Sequence, residues 1–431
     1  MMQEVVFRIE EAYMELKKAL LVGVNLGDGT DFKHSMKELS SLAEACNMEV
    51  VGSVVQNLPN INKGLYIGSG KVSEVKEQAE LLEATVIIFD NVLAPMQLRN
   101  LQQEMELEVI DRTALILDIF SSRAQTKEAK MQVEIARLQY MLPRLAGLRT
   151  SLGRQGGGSG LSNKGAGEKK IELDKRRIEH RISELSKELE TISKERQTQR
   201  KQRMQSGIPR VALVGYTNSG KSTLLNAMME EFMDDNHKLV LEKDMLFATL
   251  DTTVRKIMPK NHKPFLLSDT VGFIERLPHN LIKAFRSTLE EAKYADLLVE
   301  VIDFSDEHYK EHMKVTEQTL NEIGAKEVPI IYLFNKADLL EKQIPTVGND
   351  RIYMSAKSRI GLEELIQLME VTLLKDYLEC DMLLPYSKGN LLAILKESAD
   401  VKQIEYETEG IRLHLNCKKE DYNKYEKYVC K

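Results

Sequence analysis

The feature that most constrains this chain is an octapeptide of the phosphate-binding type, placed between an apolar strand-like run and a helix-like run. It reads Gly215-Tyr216-Thr217-Asn218-Ser219-Gly220-Lys221-Ser222. Its glycines let backbone N–H groups converge on phosphate oxygens, and the positive end of the following helix adds to the attraction. Lys221 can reach the β- and γ-phosphates, and the Ser222 hydroxyl can ligate Mg²⁺. The preceding strand, the residue spacing and the following helix all fit a phosphate-binding loop, and a glycine turn that arose by chance would not explain all three. We therefore expect a P-loop domain of the α/β class.

A second motif predicts which base is bound. Asn335-Lys336-Ala337-Asp338 follows an apolar strand, and the Asp338 carboxylate can accept hydrogen bonds from the guanine N1–H and exocyclic amine. Adenine would leave that carboxylate unpaired, a penalty of about 1–3 kcal/mol. We expect Asn335 to bond the other edge of the ring and Lys336 to cover its face. The N–H of the middle residue of Ser355-Ala356-Lys357 can bond the guanine carbonyl. Three elements in this order favour GTP over ATP.

Two segments between these motifs are predicted to switch with the nucleotide. In Asp269-Thr270-Val271-Gly272, the aspartate can hold a Mg²⁺-bound water and the glycine N–H can reach the γ-phosphate. The earlier segment Phe247-Ala248-Thr249-Leu250-Asp251 stands where a threonine can complete the Mg²⁺ shell only while the γ-phosphate is present. On chemistry alone, Thr249, Thr252 and Thr253 are all candidates. We therefore expect Lys221, Gly272 and a switch threonine to act in catalysis.

Two residues qualify this mechanism. Phe273 stands where many switch GTPases have a glutamine that orients the attacking water, and a phenyl ring has no donor or acceptor. The hypothesis is slow intrinsic hydrolysis with a partner that orders the water; the alternative is another side chain that does so. Asn218 resembles the residue with which some GTPases bind K⁺ beside the phosphates, and it fits an ordinary turn equally well. K⁺ therefore stays open as a second cofactor.

Composition limits the other functions. A chain of 431 residues with 42% hydrophobic content can hold about three packed domains. The net charge of −6 gives no global attraction to nucleic acid, so RNA contact requires a local basic patch. Four scattered cysteines indicate reduced thiols rather than a zinc site or a disulfide framework. No apolar run reaches about 18 residues and no secretory signal is evident. We expect a cytoplasmic protein without stable membrane insertion, and peripheral membrane contact stays open.

The two ends of the chain predict smaller domains. Strands and helices alternate over residues 1–115, which predicts a small parallel α/β subdomain. Within it, Gly68-Ser69-Gly70-Lys71 resembles half a phosphate loop, but the upstream glycine is missing and Val72 replaces the hydroxyl. We expect only a turn and a helix start there. Residues 376–431 predict a short helix, a hairpin and a final helix, which is a small α+β domain with His414 on a strand surface.

The region 116–206 is predicted to be an antiparallel coiled-coil hairpin. Apolar residues recur at spacings of three and four over residues 125–142 and 168–204, and the pair is polar enough to project. Its tip, residues 144–170, holds eight of the 24 glycines. One acid, Glu168, accompanies six basic residues: Arg144, Arg149, Arg154, Lys164, Lys169 and Lys170. A solvated linker and an RNA-probing loop both fit this composition, and a rigid hairpin that presents the loop favours RNA probing.

Long stretches of the chain resemble the HflX family of ribosome-associated GTPases. They are Tyr66 to Lys71, Asp111 to Phe120, Leu142 to Leu145, Val214 to Asn218, Phe247 to Asp251, Asp269 to Ile274, Leu277 to His279 and Ser287 to Glu291. The resemblance implies a GTPase domain over residues 207–375, with Ser222 and Thr249 as the Mg²⁺ ligands. It also implies a monomeric GTP-binding factor whose tip contacts the rRNA of the large ribosomal subunit and which splits stalled or idle 70S ribosomes. A GTP-gated assembly or anti-association factor, with hydrolysis only as a timer, is the alternative.

Two stretches depart from the family pattern. The family usually has Gly-Pro-Gly-Glu-Thr at the tip, and this chain has Gly165-Ala166-Gly167-Glu168-Lys169. Loss of the proline frees the loop, and the lysine adds charge. The family tends to have Pro-Thr-Thr-Arg after the first switch, and this chain has Thr252-Thr253-Val254-Arg255. We expect nucleotide binding to survive both changes.

Overall fold

The fold was obtained as a computed structural model, which describes residues 16–27, 31–147, 161–205, 208–233, 246–247, 253–260, 262–275, 286–340, 342–374 and 377–430. The chain forms two compact units. The first contains the described residues up to Leu189 together with 246–247, and the second contains the others. Each unit has a strand-and-helix core, so the predicted α/β class is confirmed. The predicted domain boundaries at 115, 206 and 375 stay predictions.

The first unit is built on a parallel sheet of four strands in the order β2-β1-β3-β4. Its elements are β1 Lys17–Asn25, α1 Phe32–Ala45, β2 Met48–Asn57, α2 Ser69–Leu81, β3 Val86–Phe89, α3 Pro95–Met105, β4 Glu108–Asp111 and α4 Arg112–Arg123. Helices alternate with strands because each parallel connection has to cross back over the sheet. The half phosphate loop at Gly68 is a helix start, as predicted, since Gly68 is the N-cap of α2. The sequence pattern did not predict α4.

Two long helices follow, α5 Lys127–Gly147 and α6 Leu161–Gln205. Lys127 pairs with Glu188 and Glu134 pairs with Arg181, so the two helices run antiparallel, as predicted. The first half of α5 is more deeply buried than expected, because Met131, Val133 and Ile135 belong to the core. On α6 most described side chains are exposed and Leu185 is buried. The helices also extend further than predicted, which leaves only residues 148–160 of the tip between them, outside the described residues.

Arg144 requires a correction to the predicted basic tip. Its guanidinium donates to Asp111 at 3.0 Å and to the Leu93 carbonyl at 3.2 Å, and it lies 3.3 Å from the centre of the Tyr140 ring. Asp111 is fully buried and also accepts hydrogen bonds from the Tyr140 hydroxyl at 2.8 Å and the Ala114 N–H at 2.9 Å. The Arg144 charge is therefore compensated inside the first unit. Arg144 anchors the end of α5, so its guanidinium is not a free member of the predicted basic tip.

The second unit contains a sheet of seven strands in the order β10-β11-β9-β8-β5-β7-β6. Its elements are β5 Arg210–Val214, α7 Lys221–Phe232, β6 Thr253–Ile257, β7 Phe265–Asp269, α8 Arg286–Lys293, β8 Leu297–Asp303, α9 Tyr309–Ile323, β9 Ile330–Asn335, β10 Thr346–Val347, β11 Arg351–Tyr353 and α10 Leu362–Leu374. The five inner strands are parallel and the two edge strands are antiparallel. The carboxyl ends of parallel strands meet at one edge, where α/β proteins place their ligands.

A second, antiparallel sheet of the second unit has the order β12-β14-β13. Its elements are β12 Tyr377–Leu384, α11 Gly389–Ser398, β13 Asp400–Glu407, β14 Gly410–Lys418 and α12 Lys419–Lys424. The predicted helix and hairpin are present, and β12 was missed although Cys380, Met382 and Leu384 alternate as a half-buried strand requires. His414 lies on the exposed face between Asp381 and Glu379, as predicted.

None of the described helices is both long enough and apolar enough to span a membrane. The four cysteines form no disulfide.

His262 carries a prediction about stability and pH. Its Nδ1 lies 2.8 Å from a Glu370 oxygen and its Nε2 lies 2.9 Å from a Glu363 oxygen. Carboxylates at both ring nitrogens favour the imidazolium, in which both nitrogens donate, so the pKa of His262 is raised, chiefly by the hydrogen bond to Glu370. A raised folded pKa stabilises the protein fully below the unfolded value near about 6.5, and this stabilisation is lost as pH rises through the folded value.

We expect His262→Gln to lower the free energy of unfolding by about 1 kcal/mol at about pH 5.5 and by much less at about pH 9. Urea titrations at the two pH values measure this difference. His180→Gln is the matched control, because the His180 side chain is 75% exposed and, among the described residues, its ion pair is with Glu184 of the same helix. An equal loss at both pH values for His262→Gln would contradict the imidazolium assignment.

Candidate functional site

The phosphate loop joins the end of β5 to the start of α7, and two of its positions accept only glycine. Gly215 has φ +134°, and a Cβ there would lie 2.3 Å from the Val301 carbonyl oxygen. Gly220 has φ +96°, and a Cβ there would lie 2.2 Å from Asn335 Nδ2. Both positions combine a left-handed backbone with contact distances that a side chain cannot occupy. The loop conformation is therefore encoded by these glycines.

Lys221 is held in place by the loop itself. Its Nζ donates to the Gly215 carbonyl at 3.1 Å and to the Tyr216 carbonyl at 2.6 Å, and the side chain is buried. Burial lowers the pKa of Lys221 to about 8, an effect that the nearby Asp269 partly offsets. These two carbonyls are uncharged, so an anionic phosphate beside the ammonium would relieve its desolvation. The site therefore suits a phosphate group.

Ser222 and Asp269 form the pair that fits Mg²⁺. The Ser222 hydroxyl lies 2.7 Å from Asp269 Oδ2, and Asp269 is fully buried at the end of β7. A hydroxyl and a carboxylate are hard oxygen ligands of the kind that Mg²⁺ takes. Nearby, the buried hydroxyls of Thr217 and Ser219 have no hydrogen-bond partner among the described residues. Orphaned oxygens in a loop of this type fit a site that a polar ligand completes.

The base-reading residues meet the phosphate loop through Asn335. Its Nδ2 donates to the Ser219 carbonyl at 2.9 Å, and its Oδ1 accepts the Ala356 N–H at 2.9 Å. The amide therefore ties the phosphate loop to the loop that contains Ala356, and the predicted contacts of Asn335 and the Ala356 N–H with guanine stay predictions. Asp338, by contrast, is exposed. Of the expected base contacts, the one to Asp338 is the most accessible.

The other residues predicted to contact the base differ in their contacts and burial. Lys336 has φ +58°, and its Nζ bonds the Asn218 carbonyl at 3.0 Å and Asp303 at 2.7 Å, which holds its stem across the loop. Ala337 and Ser355 are buried, and Lys357 is exposed. Asn218 itself has φ +59°, a turn conformation that asparagine tolerates, and nothing in this geometry tests K⁺ binding.

The second switch segment begins directly after Asp269. The Thr270 hydroxyl donates to the Leu213 carbonyl at 2.7 Å, and Val271 is buried beside it. At Gly272 a Cβ would lie 2.8 Å from Thr217 Cα and 3.0 Å from Lys221 Nζ. Gly272 thus lies next to the Lys221 ammonium, where a γ-phosphate is expected to bind.

Phe273 continues this segment along the loop. Its N–H donates to the Gly215 carbonyl at 3.1 Å, and its carbonyl accepts the Thr217 N–H at 2.8 Å. The Phe273 ring is 3% exposed. The Phe273 ring therefore packs in the core. Phenylalanine also has no polar side-chain group that could orient a water.

Two residues near the loop were missed as partners by the sequence analysis. The Tyr216 ring stacks on the His312 imidazole, with centroids 3.8 Å apart and planes 9° apart. The Tyr216 hydroxyl accepts the Glu275 N–H at 2.9 Å. His312 lies on α9, 96 residues after Tyr216 in the chain (312 − 216). No spacing rule connects such distant residues, so only the fold reveals this contact.

The first switch segment is described only in part. Ala248, Thr249, Leu250, Asp251 and Thr252 lie outside the described residues, so their predicted roles stay predictions. Phe247 is described, and its ring meets Phe120 edge-to-face at 4.6 Å within the first unit. Its side chain is thus a core group, and the predicted role of this residue at the nucleotide stays a prediction. Thr253 starts β6 and forms part of the sheet edge.

The site has three features: a phosphate loop between a buried strand and a helix, an aspartate at the end of the neighbouring strand, and an Asn-Lys-x-Asp motif two strands later. Together these features define the class of P-loop GTPases. Three family descriptions match the chain: "GTP-binding GTPase N-terminal" over residues 33–121, "GTP-binding GTPase Middle Region" over 123–203 and "50S ribosome-binding GTPase" over 210–336.

Comparison with individual proteins identifies the family to which this chain belongs. The GTPase HflX of Caldanaerobacter subterraneus subsp. tengcongensis is 42% identical over 405 residues, which cover 94% of this chain and 91% of the relative. The GTPase HflX of Escherichia coli K12 is 36% identical over 381 residues, with 87% of each chain covered. A crystal structure of a GTP-binding protein from the archaeon Sulfolobus solfataricus, in complex with GDP, is 27% identical and covers 84% of this chain and 99% of its own, with a TM-score of 0.44. The chain belongs to the GTPase HflX family and is a GTP hydrolase.

Proposed function

We propose that this GTPase binds the large ribosomal subunit and splits or rescues stalled or idle 70S ribosomes, with hydrolysis stimulated by the ribosome. The observation that carries the proposal is the match of residues 210–336, which contain the whole phosphate loop, to the 50S ribosome-binding GTPases. Two of the HflX relatives match more than nine-tenths of this chain, so they share the regions on both sides of that domain with it as well.

The proposed chemistry assigns a role to each part of the site. Lys221 neutralises the β- and γ-phosphates, and the Gly272 N–H contacts the γ-phosphate. Ser222 and Thr249 would hold Mg²⁺, whose charge would offset that of the phosphates, and Asp269 would orient the metal through a water. Asp338 reads the guanine edge, and K⁺ beside Asn218 is retained as a candidate second cation. Because the buried Phe273 cannot orient water, intrinsic hydrolysis is slow and a ribosomal partner completes the site.

The proposed ribosome contact is the hairpin of α5 and α6. Its helices are joined by Arg181–Glu134, with two nitrogen–oxygen distances of 2.8 Å and 3.3 Å, and by Lys127–Glu188. The chain between them, residues 148–160, carries Arg149 and Arg154 and no acid. With Arg144 bound inward, these two arginines together with Lys164, Lys169 and Lys170 are the proposed rRNA contacts. The factor acts as a cytoplasmic monomer in this proposal.

A GTP-gated assembly or anti-association factor is the second candidate. Sucrose gradients of 70S ribosomes separate the two, run with GTP and with a non-hydrolysable analogue. Splitting with both nucleotides, and repeated turnover only with GTP, supports the splitting factor. Binding to free subunits without loss of 70S particles supports the assembly factor. Equal affinity for the large subunit with GDP, with GTP and without nucleotide would refute both.

The double variant Arg149→Gln/Arg154→Gln tests the hairpin. We expect it to lower the affinity for large subunits by about tenfold near physiological salt, because each lost phosphate contact weakens binding and flattens its salt dependence. GTPase activity without ribosomes should be unchanged. The matched control is Arg176→Gln/Arg177→Gln, which removes two exposed arginines from the shaft of α6. Equal effects of the two pairs would indicate general charge attraction rather than contact through the tip.

A further inference from the structure

Tyr216 makes two contacts that phosphate binding does not require. Its ring lies flat on His312, and its hydroxyl accepts the N–H of Glu275. Tyr216 and His312 are each only 7% exposed, so the stack is part of the core of the second unit. His312 lies on α9, where its backbone carbonyl accepts the Thr316 hydroxyl at 3.0 Å. The Tyr216 side chain therefore links the phosphate loop, α9 and the second switch segment.

The Glu275 contact extends the attachment of the switch segment along the chain. Backbone hydrogen bonds between the loop and this segment involve Phe273, which pairs with Gly215 and Thr217. Glu275 comes two residues later, at the end of the described part of the segment. The Glu275 N–H bonds the Tyr216 hydroxyl, and the Tyr216 ring packs on His312 of α9. The stretch from Gly272 to Glu275 is therefore held by the loop backbone at Phe273 and by Tyr216 at Glu275.

We propose that Tyr216 is a positioning residue for GTP hydrolysis. It holds residues 272–275 in place before nucleotide binds, so that Gly272 already lies beside the Lys221 ammonium when a γ-phosphate arrives. A segment that is ordered in advance does not have to lose its conformational freedom at the moment of binding, and this saving appears as affinity. GDP has no γ-phosphate and gains nothing from the position of Gly272. Tyr216 therefore favours GTP over GDP.

Tyr216→Phe isolates the hydroxyl, because it keeps the ring and its stack on His312. We expect this variant to bind a non-hydrolysable GTP analogue roughly 3–10-fold more weakly, the range of one hydrogen bond, while its affinity for GDP stays within about twofold. The rate of single-turnover GTP hydrolysis should fall by a similar factor. In nucleotide-free protein, the Glu275 amide should exchange with deuterium about tenfold faster, a readout that does not depend on activity.

His312 tests the stack. His312→Phe keeps a flat ring under Tyr216 and should retain the analogue affinity within about twofold. His312→Ala removes the support and should reproduce the selective loss seen for Tyr216→Phe. Thermal unfolding of each variant establishes that it folds. Tyr294→Phe, at a tyrosine that is 40% exposed in the same unit, is the matched control and should leave both affinities unchanged.

Three outcomes would overturn the proposal. An equal loss for GDP and for the analogue would mean that Tyr216 only shapes the phosphate loop. Stronger binding of the analogue by Tyr216→Phe would mean that the contact restrains the switch in an inactive position. Unchanged exchange at the Glu275 amide would mean that the hydroxyl does not hold the segment at all.

Discussion

Replacing Asp338 with asparagine is expected to change the base preference from guanine to xanthine by about 10⁴-fold in relative affinity. The carboxylate accepts two hydrogen bonds from the guanine N1–H and exocyclic amine, whereas the amide of asparagine turns an N–H₂ group toward one of these donors. Xanthine carries a carbonyl oxygen in place of the amine, so it can accept from that N–H₂ group. The exposed position of Asp338 after β9 leaves its carboxylate accessible for this contact.

Competition of GTP, XTP and ATP against a fluorescent nucleotide measures this preference. Asp350→Asn is the matched control, because the Asp350 side chain is 49% exposed and pairs with the neighbouring Arg351. A uniform loss of affinity for all three nucleotides would place the Asp338 carboxylate outside the base pocket. Gain of XTP binding without loss of GTP binding would contradict the donor–acceptor argument.

Glu300→Gln is expected to stabilise the folded protein by roughly 4 kcal/mol above about pH 8 and by under about 1 kcal/mol near about pH 5. Glu300 lies on the central strand β8 and is 3% exposed. Burial raises its pKa from 4.5 to about 8, partly offset by the Thr316 hydroxyl. The unfolded chain ionises near pH 4.5, so stability from the neutral carboxyl is complete below that value and is lost as pH rises toward the folded value. Glutamine stays neutral and avoids this loss.

Urea titrations of the wild type and the variant from about pH 5 to about pH 9 test this expectation. Glu317→Gln is the matched control, since Glu317 is an exposed carboxylate on α9 that contributes only a small charge repulsion at Glu300. A constant difference between wild type and Glu300→Gln across the pH range would show that Glu300 does not change its ionisation there. The same comparison at Glu317 should give nearly parallel curves.

The phosphate loop and the parallel strands around it were predictable because their signals are local. Gly215 and Gly220 mark backbone positions that no side chain can occupy, and the apolar runs before them have the length of buried strands. The strand β12 was missed despite its alternation, because one short alternating segment indicates a strand only once its pairing partner, here β14, is known. The helix α4 and the deep burial of the first half of α5 were missed for a related reason. Their apolar faces look alike in sequence whether they meet a core or a partner helix.

The functional site also contains residues that the sequence identifies and contacts that only the fold shows. Lys221, Ser222, Asp269 and Asp338 were recognised from residue type and order, and the structure brings the first three together at one sheet edge. Asn335 was assigned to the base from its motif, and the structure adds that its amide bonds two protein loops, a pair of contacts that the motif does not show. Arg144 was assigned to RNA, yet it is bound to a buried carboxylate. Sequence spacing does not show which of several polar partners a side chain will meet.

Short motifs were enough to identify this chain as a guanine-nucleotide hydrolase with a P-loop core, because phosphate and base recognition depend on backbone geometry that the residues of each motif set themselves. The residues that hold those motifs in position became visible in the folded chain alone. Tyr216 on His312 and Arg144 on Asp111 each join segments that are distant in the chain. Such contacts arise from the packing of whole elements, and packing is a property of the folded chain that no local pattern records.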